Sequence, residues 1–219
     1  MNKDKQAVGA KFDLQKMRYA RGKTFEAVNL IANQVSVGMS ESQARAIAKD
    51  TLTEMGMDRI WHQILVRFGV NTLKKFNEPS DGDPILQAND IFFVDLGVVW
   101  DGHEGDAGAT FVVGNDTDMQ ACAAASQQIF TAVKKQWETA HFSGQDLYLF
   151  AEQEAEKLGW KLNLEIKGHR VSDFPHAIYR AGDLGDFDQV PDVGLWILEI
   201  QIAHPTKPFG AFFEDLLVR

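Results

Sequence analysis

The sequence predicts an α+β domain made of two related halves, each supplying a pair of helices and several strands, with the helices packed on one face of a curved sheet. Two capping boxes carry this expectation. Ser40-Glu-Ser-Gln43 and Ser143-Gly-Gln-Asp146 each open a helix that runs to a glycine 16 positions on, Gly56 and Gly159, and each glycine leads through an apolar residue, Met57 or Trp160, into β-like sequence. The two serines lie 103 positions apart. Identity between the halves is slight, so the spacing alone carries the duplication.

In chain order, apolar positions recur at helical spacing from about Phe12 to Met39, and the first capping box starts a second amphipathic run that ends at Met55 and Gly56. Short β-like segments follow at residues 64–68, 91–96 and 109–113, with a turn-rich stretch at 77–84. A long helical pattern resumes after Gly114 and reaches about Ala140, and the second box begins another helix that stops at Gly159. Residues 196–202 and 211–218 are expected as the last strands. No Pro-rich or Gly/Ser-rich linker interrupts the chain, which is expected to form a single domain over residues 1–219, long enough to bury a core without disulfide staples.

The formal net charge of -9 and the lack of clustered Lys and Arg argue against a nucleic-acid partner. The first residues are polar, with no apolar signal core, and no run of about 18 apolar residues occurs, so a cytoplasmic protein without a membrane partner is expected. The one cysteine, Cys122, lies in an Ala-rich helical run and reads as a small buried residue rather than a nucleophile.

Four acids stand out because of where they fall. Asp95 sits inside Phe92-Phe-Val-Asp-Leu-Gly97, where an ionised carboxylate is expensive without a compensating cation or donors. Asp106 follows eleven residues later, after the glycine-bearing turn Asp101-Gly-His-Glu-Gly105, which could fold two strands back so that both carboxylates converge. Taken alone, Asp106 also reads as an ordinary turn aspartate. Glu199 shares a strand face with Gln201 among isoleucines, and Glu214 lies in Ala211-Phe-Phe-Glu-Asp215. A buried salt-bridge network is the competing account, but the basic residues lie mostly on helical and turn segments, which favours a metal cluster. His169 and His176 are the candidate nitrogen donors; a lone histidine is more often structural, and the acid cluster reverses that expectation. Imidazole beside carboxylates suits Mn, Fe, Co or Zn.

This pattern strongly resembles the pita-bread metallopeptidases, the family of methionine aminopeptidases, Xaa-Pro aminopeptidases and prolidases. The residues that carry it are Asp95-Leu-Gly97, Asp106 before Thr110-Phe-Val-Val-Gly114, His169 after Gly168, Glu199, and Glu214 in Gly210-Ala-Phe-Phe-Glu-Asp215. It covers essentially the whole chain as a catalytic domain, and none of residues 1–219 is expected to form the extra N-terminal domain common in Xaa-Pro aminopeptidases and prolidases. The resemblance implies the pita-bread (creatinase/aminopeptidase) fold on a mainly antiparallel sheet and two divalent ions, Mn first and Co, Fe or Zn as alternatives. Asp106 and Glu214 would bridge the ions, Asp95 would complete one shell, and His169 with Glu199 the other. It further implies a metal-bridging hydroxide, a proton shuttle at Glu199, a substrate contact from His176, a peptide or small-molecule substrate and a possible homodimer.

Three departures bear on the substrate. Arg170-Val-Ser172 stands where the family has Gly-Ile-Gly and is expected to change the pocket wall, His176-Ala177 replaces a His-Glu pair, and Phe76 falls where another substrate-binding histidine is usual. His62 could serve in that histidine's place, though it reads better as structural. The function these residues imply is a dinuclear aminopeptidase or dipeptidase of Xaa-Pro type. The alternatives are a metal-dependent hydrolase or lyase of the same fold acting on a small non-peptide molecule, and a non-catalytic binding module.

Overall fold

Local capping fixes where the helices begin. Asp13 accepts hydrogen bonds from the Gln15 and Lys16 amides at the start of α1 (Leu14–Gln34), and Ser40 with Gln43 closes a capping box on α2 (Glu41–Glu54). The second half repeats this with α3 (Thr117–Ala140), capped by Asp116, and α4 (Gly144–Lys157), boxed by Ser143 and Asp146. The computed structural model describes residues 5–176 and 182–219, so Ala177, one of the family departures, lies outside the described residues. Among these residues, no helix is long and apolar enough to cross a membrane.

Each helix pair is followed by four strands. The first half carries β1 (Arg59–Ile60), β2 (Leu65–Phe68), β3 (Asp90–Trp100) and β4 (His103–Val113); the second carries β5 (Lys161–Leu162), β6 (His169–Arg170), β7 (Trp196–Ala203) and β8 (Gly210–Leu216). All pair antiparallel in one sheet of order β1-β3-β4-β8-β7-β5, with β2 also on β3 and β6 also on β7. The order is a mirrored sequence about the β4–β8 contact, so the duplication expected from the two capping boxes extends to every element.

Alternation sorts the strands' side chains. Phe92, Val94, Leu96 and Val98 of β3 pack with Val28, Ile31 and Leu52 of the first helix pair, while Leu198, Ile200 and Ile202 of β7 pack with Ile129, Trp137 and Leu147 of the second. The intervening residues, Asp95 and Gly97 on β3 and Glu199 and Gln201 on β7, therefore face the other side of the sheet. Cys122 is buried in α3, and burial pushes its thiol up to about 12, consistent with a packing residue.

Two boundaries differ from the sequence reading. The first helix stops at Gln34 rather than near Met39, because the chain there exchanges helical bonds for pairing with residue 86: Gly38, in the left-handed region at φ +91°, donates to the Leu86 carbonyl, and the Leu86 amide donates to Met39. The turn expected across residues 101–105 narrows to Asp101 and Gly102, both at positive φ (49° and 71°), a two-residue hairpin turn that matches strand twist. β4 consequently begins at His103, and Asp106 lies within a strand.

Gly105 marks the closest approach of α1 to β4. A Cβ there would lie 2.2 Å from Thr24 Oγ1 and 2.6 Å from the Ala20 carbonyl oxygen. Thr24 is held in place, donating to Ala20 O and accepting from Trp100 Nε1. Gly105→Val should therefore force α1 off the sheet and destabilise the protein by about 3 kcal/mol, read as a lowered urea midpoint; an unchanged midpoint would show that the helix yields without cost.

Candidate metal centre

The register of the central strands brings the carboxylates into one row. Asp95 lies opposite Gly108, Gly108 opposite Glu214, and Glu214 opposite Glu199, so β3, β4, β8 and β7 present them on the face away from the helices. Asp106 is one step along β4, opposite Gly97. β6 adds His169 opposite Ile197, next to Glu199 on the same face. Two glycines make the convergence possible, since a Cβ on Gly97 would lie 1.8 Å from the His62 ring and one on Gly108 would lie 2.6 Å from Phe212 and 3.0 Å from Glu214 Oε1. All five residues singled out from the sequence as ligands, Asp95, Asp106, His169, Glu199 and Glu214, thus meet at one place.

His169 Nε2 stands 2.9 Å from Asp106 Oδ2 and 3.6 Å from Glu199 Oε1. Glu199 Oε2 accepts the Gly168 amide at 3.0 Å. The 2.9 Å contact is not aligned as a good hydrogen bond, so Asp106 Oδ2 is buried without a donor among the described residues, as are Asp95 Oδ1 and Glu214 Oε1. Asp95, Asp106 and Glu214 are 6%, 1% and 1% exposed. Three orphaned carboxylate oxygens in one buried cluster are costly unless a cation reaches them.

The protonation equilibria express the same strain. Burial pushes the Asp95 carboxyl up to about 6, with His62 opposing and Asp106 adding to the shift. Burial, then Asp106, Asp95 and Glu199, drives Glu214 well above the carboxylate range, and burial also raises Glu199 against the pull of His169. Burial would raise Asp106 too, but His62 and His169 together hold it below its ordinary value. Burial lowers both imidazoles, yet the carboxylates prevail and lift His62 to about 9 and His169 to about 10. The polypeptide alone cannot keep four adjacent buried carboxylates ionised, and hard divalent cations can. His62, Asp95 and Asp106 gather donor atoms within 4.8 Å of one another, as do Asp106, His169 and Glu214, so the donor set fits divalent metal.

Three residues at this site were missed or undervalued in the sequence. His62, read there as structural, places Nε2 3.1 Å from Asp106 Oδ1. Trp61 packs edge-on against His62, His169 and His176, with ring centroids 4.6, 5.7 and 5.3 Å away, and its Nε1 donates to the Gly105 carbonyl. Glu104, 1% exposed, holds His176: one oxygen accepts the His176 amide, and the other accepts the Ser172 amide and lies 2.6 Å from His176 Nδ1. Its signal was available, an acid one strand position before Gly105, but nothing local indicated its partner.

A cleft of 710 Å³ opens over the cluster, with Leu65, Phe93, Phe212 and Ile166 as apolar wall and His176 on its lining. Phe76 borders it 5.4 Å from the His62 ring. Arg170 also borders it, but its guanidinium donates to the carbonyls of Lys5, Ala7, Val171 and Leu195. The Arg170 departure therefore fastens the N-terminal segment to the strand that carries His169, and it does not set a cation over the cluster.

Comparison with solved structures shows that the fold is a known one. The chain is similar to an X-Pro aminopeptidase from Thermotoga maritima (16% identity, TM-score 0.71, covering 94% of this chain and 60% of that one). It is similar also to a methionine aminopeptidase from Thermotoga maritima (14%, 0.72, 95% and 93%) and to a prolidase from Pyrococcus furiosus (17%, 0.74, 95% and 61%). The chain thus spans about three-fifths of the Xaa-Pro aminopeptidase and prolidase chains. At these identities the likeness is one of fold, and that fold is the pita-bread arrangement. A comparison with curated protein sequences returns no match. The metallopeptidase family M24 matches residues 15–218, and the chain belongs to that family.

Proposed function

We propose that the chain is a metal-dependent aminopeptidase or dipeptidase of Xaa-Pro type, with residues 1–219 as one catalytic domain that uses two divalent ions, manganese first among them. The observation that carries this reading is the buried row of carboxylates with three oxygens that accept no well-formed hydrogen bond among the described residues. Asp106 and Glu214 would be shared between the ions, Asp95 would belong to one, and His169 with Glu199 to the other. When bound, the ions would acidify water toward neutral pH and polarise the scissile carbonyl.

The chain's own groups supply the rest. Glu199, oriented by the Gly168 amide, is set to take a proton and pass it to the leaving amine. A carboxylate beside His176 Nδ1 favours the tautomer with its proton on that nitrogen, leaving Nε2 for the substrate or the tetrahedral intermediate. The apolar wall of Leu65, Phe93 and Phe212 would receive an uncharged side chain. Phe76, which takes the place of a family histidine at the cleft edge, favours a second reading in which the same centre acts on a small non-peptide molecule.

Elemental analysis with hydrolysis of an Xaa-Pro and a Met-Xaa dipeptide under added Mn tests the proposal. Two equivalents of metal with Xaa-Pro cleavage are expected, and metal without cleavage of either peptide would favour the second reading. Asp106→Ala should lose metal and lower the rate by more than about a hundredfold; a metal-free Asp106→Ala protein of full activity would refute the mechanism. Glu104→Gln should keep its metal while kcat/KM falls roughly 10–100-fold, since the amide leaves His176 in the wrong tautomer; unchanged kinetics would remove Glu104 from the mechanism.

The metal-stripped protein should also be sensitive to alkali. His62 and His169 are raised in the folded state from 6.5 to about 9 and about 10, so the stability they contribute is complete below pH 6.5 and lost as pH rises through 9 to 10. The urea midpoint in chelator should fall between pH 7 and 10, and less steeply after metal loading; equal slopes would show that these imidazoles do not face the ions.

A further inference from the structure

We propose that His62 is itself a metal ligand, the first half's counterpart of His169. Each histidine approaches the shared carboxylate Asp106 from its own side. His62 Nε2 lies 3.1 Å from Asp106 Oδ1 and 3.6 Å from Asp95 Oδ1, while His169 Nε2 lies 2.9 Å from Asp106 Oδ2 and 3.6 Å from Glu199 Oε1. Ligand atoms held about 2.0–2.2 Å from one ion stand roughly 2.9–3.6 Å from each other at octahedral to tetrahedral angles, so both sets have the spacing of donors that share a cation.

The ring orientations agree. His62 Nδ1 meets the carbonyl of the next residue, Gln63, at 2.9 Å, and His169 Nδ1 meets the carbonyl of the next residue, Arg170, at 3.1 Å. A carbonyl only accepts, so each Nδ1 carries a proton and each Nε2 is the nitrogen that faces the carboxylates and is placed to bind a metal ion. Between each Nε2 and those carboxylates a proton or a metal ion must stand, and the spacing suits either. Trp61 packs against both rings and keeps them from turning away.

The topology gives the same answer. β3 with β4 corresponds to β7 with β8 about the β4–β8 contact; His62 lies between β1 and β2 and His169 opens β6, so in each half the imidazole comes from the stretch that follows the half's first short strand. Each half then supplies two carboxylates and one imidazole: Asp95, Asp106 and His62 from the first, Glu199, Glu214 and His169 from the second. Gly97 completes the device, because any side chain there would occupy the His62 ring, with a Cβ 1.8 Å from its Cδ2 atom. An imidazole on both ions moves the centre from hard, oxygen-only ligation at one position toward borderline metals at both.

This inference rests on the two-ion reading, and cobalt separates the two. The metal-free protein is titrated with Co(II) by calorimetry, and the exchangeable proton signals shifted by the paramagnetic ion are recorded by NMR, for the wild type, His62→Ala, Gly97→Ala and His169→Ala, with far-UV circular dichroism verifying the fold. The wild type should take up two equivalents and show two shifted imidazole N–H signals. His62→Ala should lose one signal and weaken one equivalent by about tenfold or more; Gly97→Ala, which keeps the imidazole but displaces it, should do the same, and His169→Ala should lose the other signal. Two equivalents with one shifted N–H in the wild type and unchanged affinity in His62→Ala would overturn the ligand assignment alone. A single equivalent in the wild type would overturn the two-ion reading and this assignment with it.

Discussion

Bringing four carboxylates together on one face of a sheet, out of water, is the constraint on which this protein's structure turns. Adjacent strands place paired side chains about 5 Å apart, and like charges at that distance in a buried setting destabilise each other strongly. Asp95, Glu214 and Glu199 lie on a single row of register partners, with Asp106 a step away, and the raised carboxyl pKa values of three of the four express their burial first and that repulsion after it. A cation removes the difficulty, and the surrounding chain is arranged to let one in: glycines stand at 97 and 108, where a side chain would fill the space the carboxylates and His62 occupy.

Everything that keeps the row in register lies on the opposite face. The two helix pairs press on alternate residues of β3 and β7, so the apolar positions that build the core also decide which residues face the cleft. A slip of one residue in either strand would turn Asp95 or Glu199 into the core and an aliphatic side chain into the cluster. The two-residue turn at Asp101 and Gly102 protects against that slip, since it fixes β3 against β4 over eleven paired positions. Gly105, where α1 comes closest to β4, ties the helix layer to the same strand one residue before Asp106.

Around the cluster, parts of the chain remote in sequence divide the work of orientation. Trp61 touches three imidazoles, Glu104 holds His176 and the Ser172 amide, and Arg170 fastens residues 5 and 7 to the strand that carries His169. Two of these three contacts involve departures from the family pattern. Arg170 replaces a glycine without placing charge on the cluster, and Glu104 brings a carboxylate to His176 from β4, whereas the family's acid follows the histidine in sequence.

By itself the sequence determined the helix pairs, the duplication and the five clustered residues Asp95, Asp106, His169, Glu199 and Glu214. Those features are local: capping boxes name their own helix starts, and an acid within an apolar strand announces a burial cost that needs an explanation. The first helix's early end was not legible, because Gly38 and Met39 pair with Leu86, a partner 47 or more positions away. Tertiary structure alone decided the place of His62, Trp61 and Glu104. None of the three names its partner locally: His62 acquires its role when antiparallel pairing sets the segment after β1 beside β3 and β4, and Trp61 and Glu104 when that layer meets residues 169–176 of the second half. Distance along the chain hides such contacts, because the energy that selects them comes from burial and charge in the folded state, where Asp106 sits between two imidazoles more than 100 positions apart.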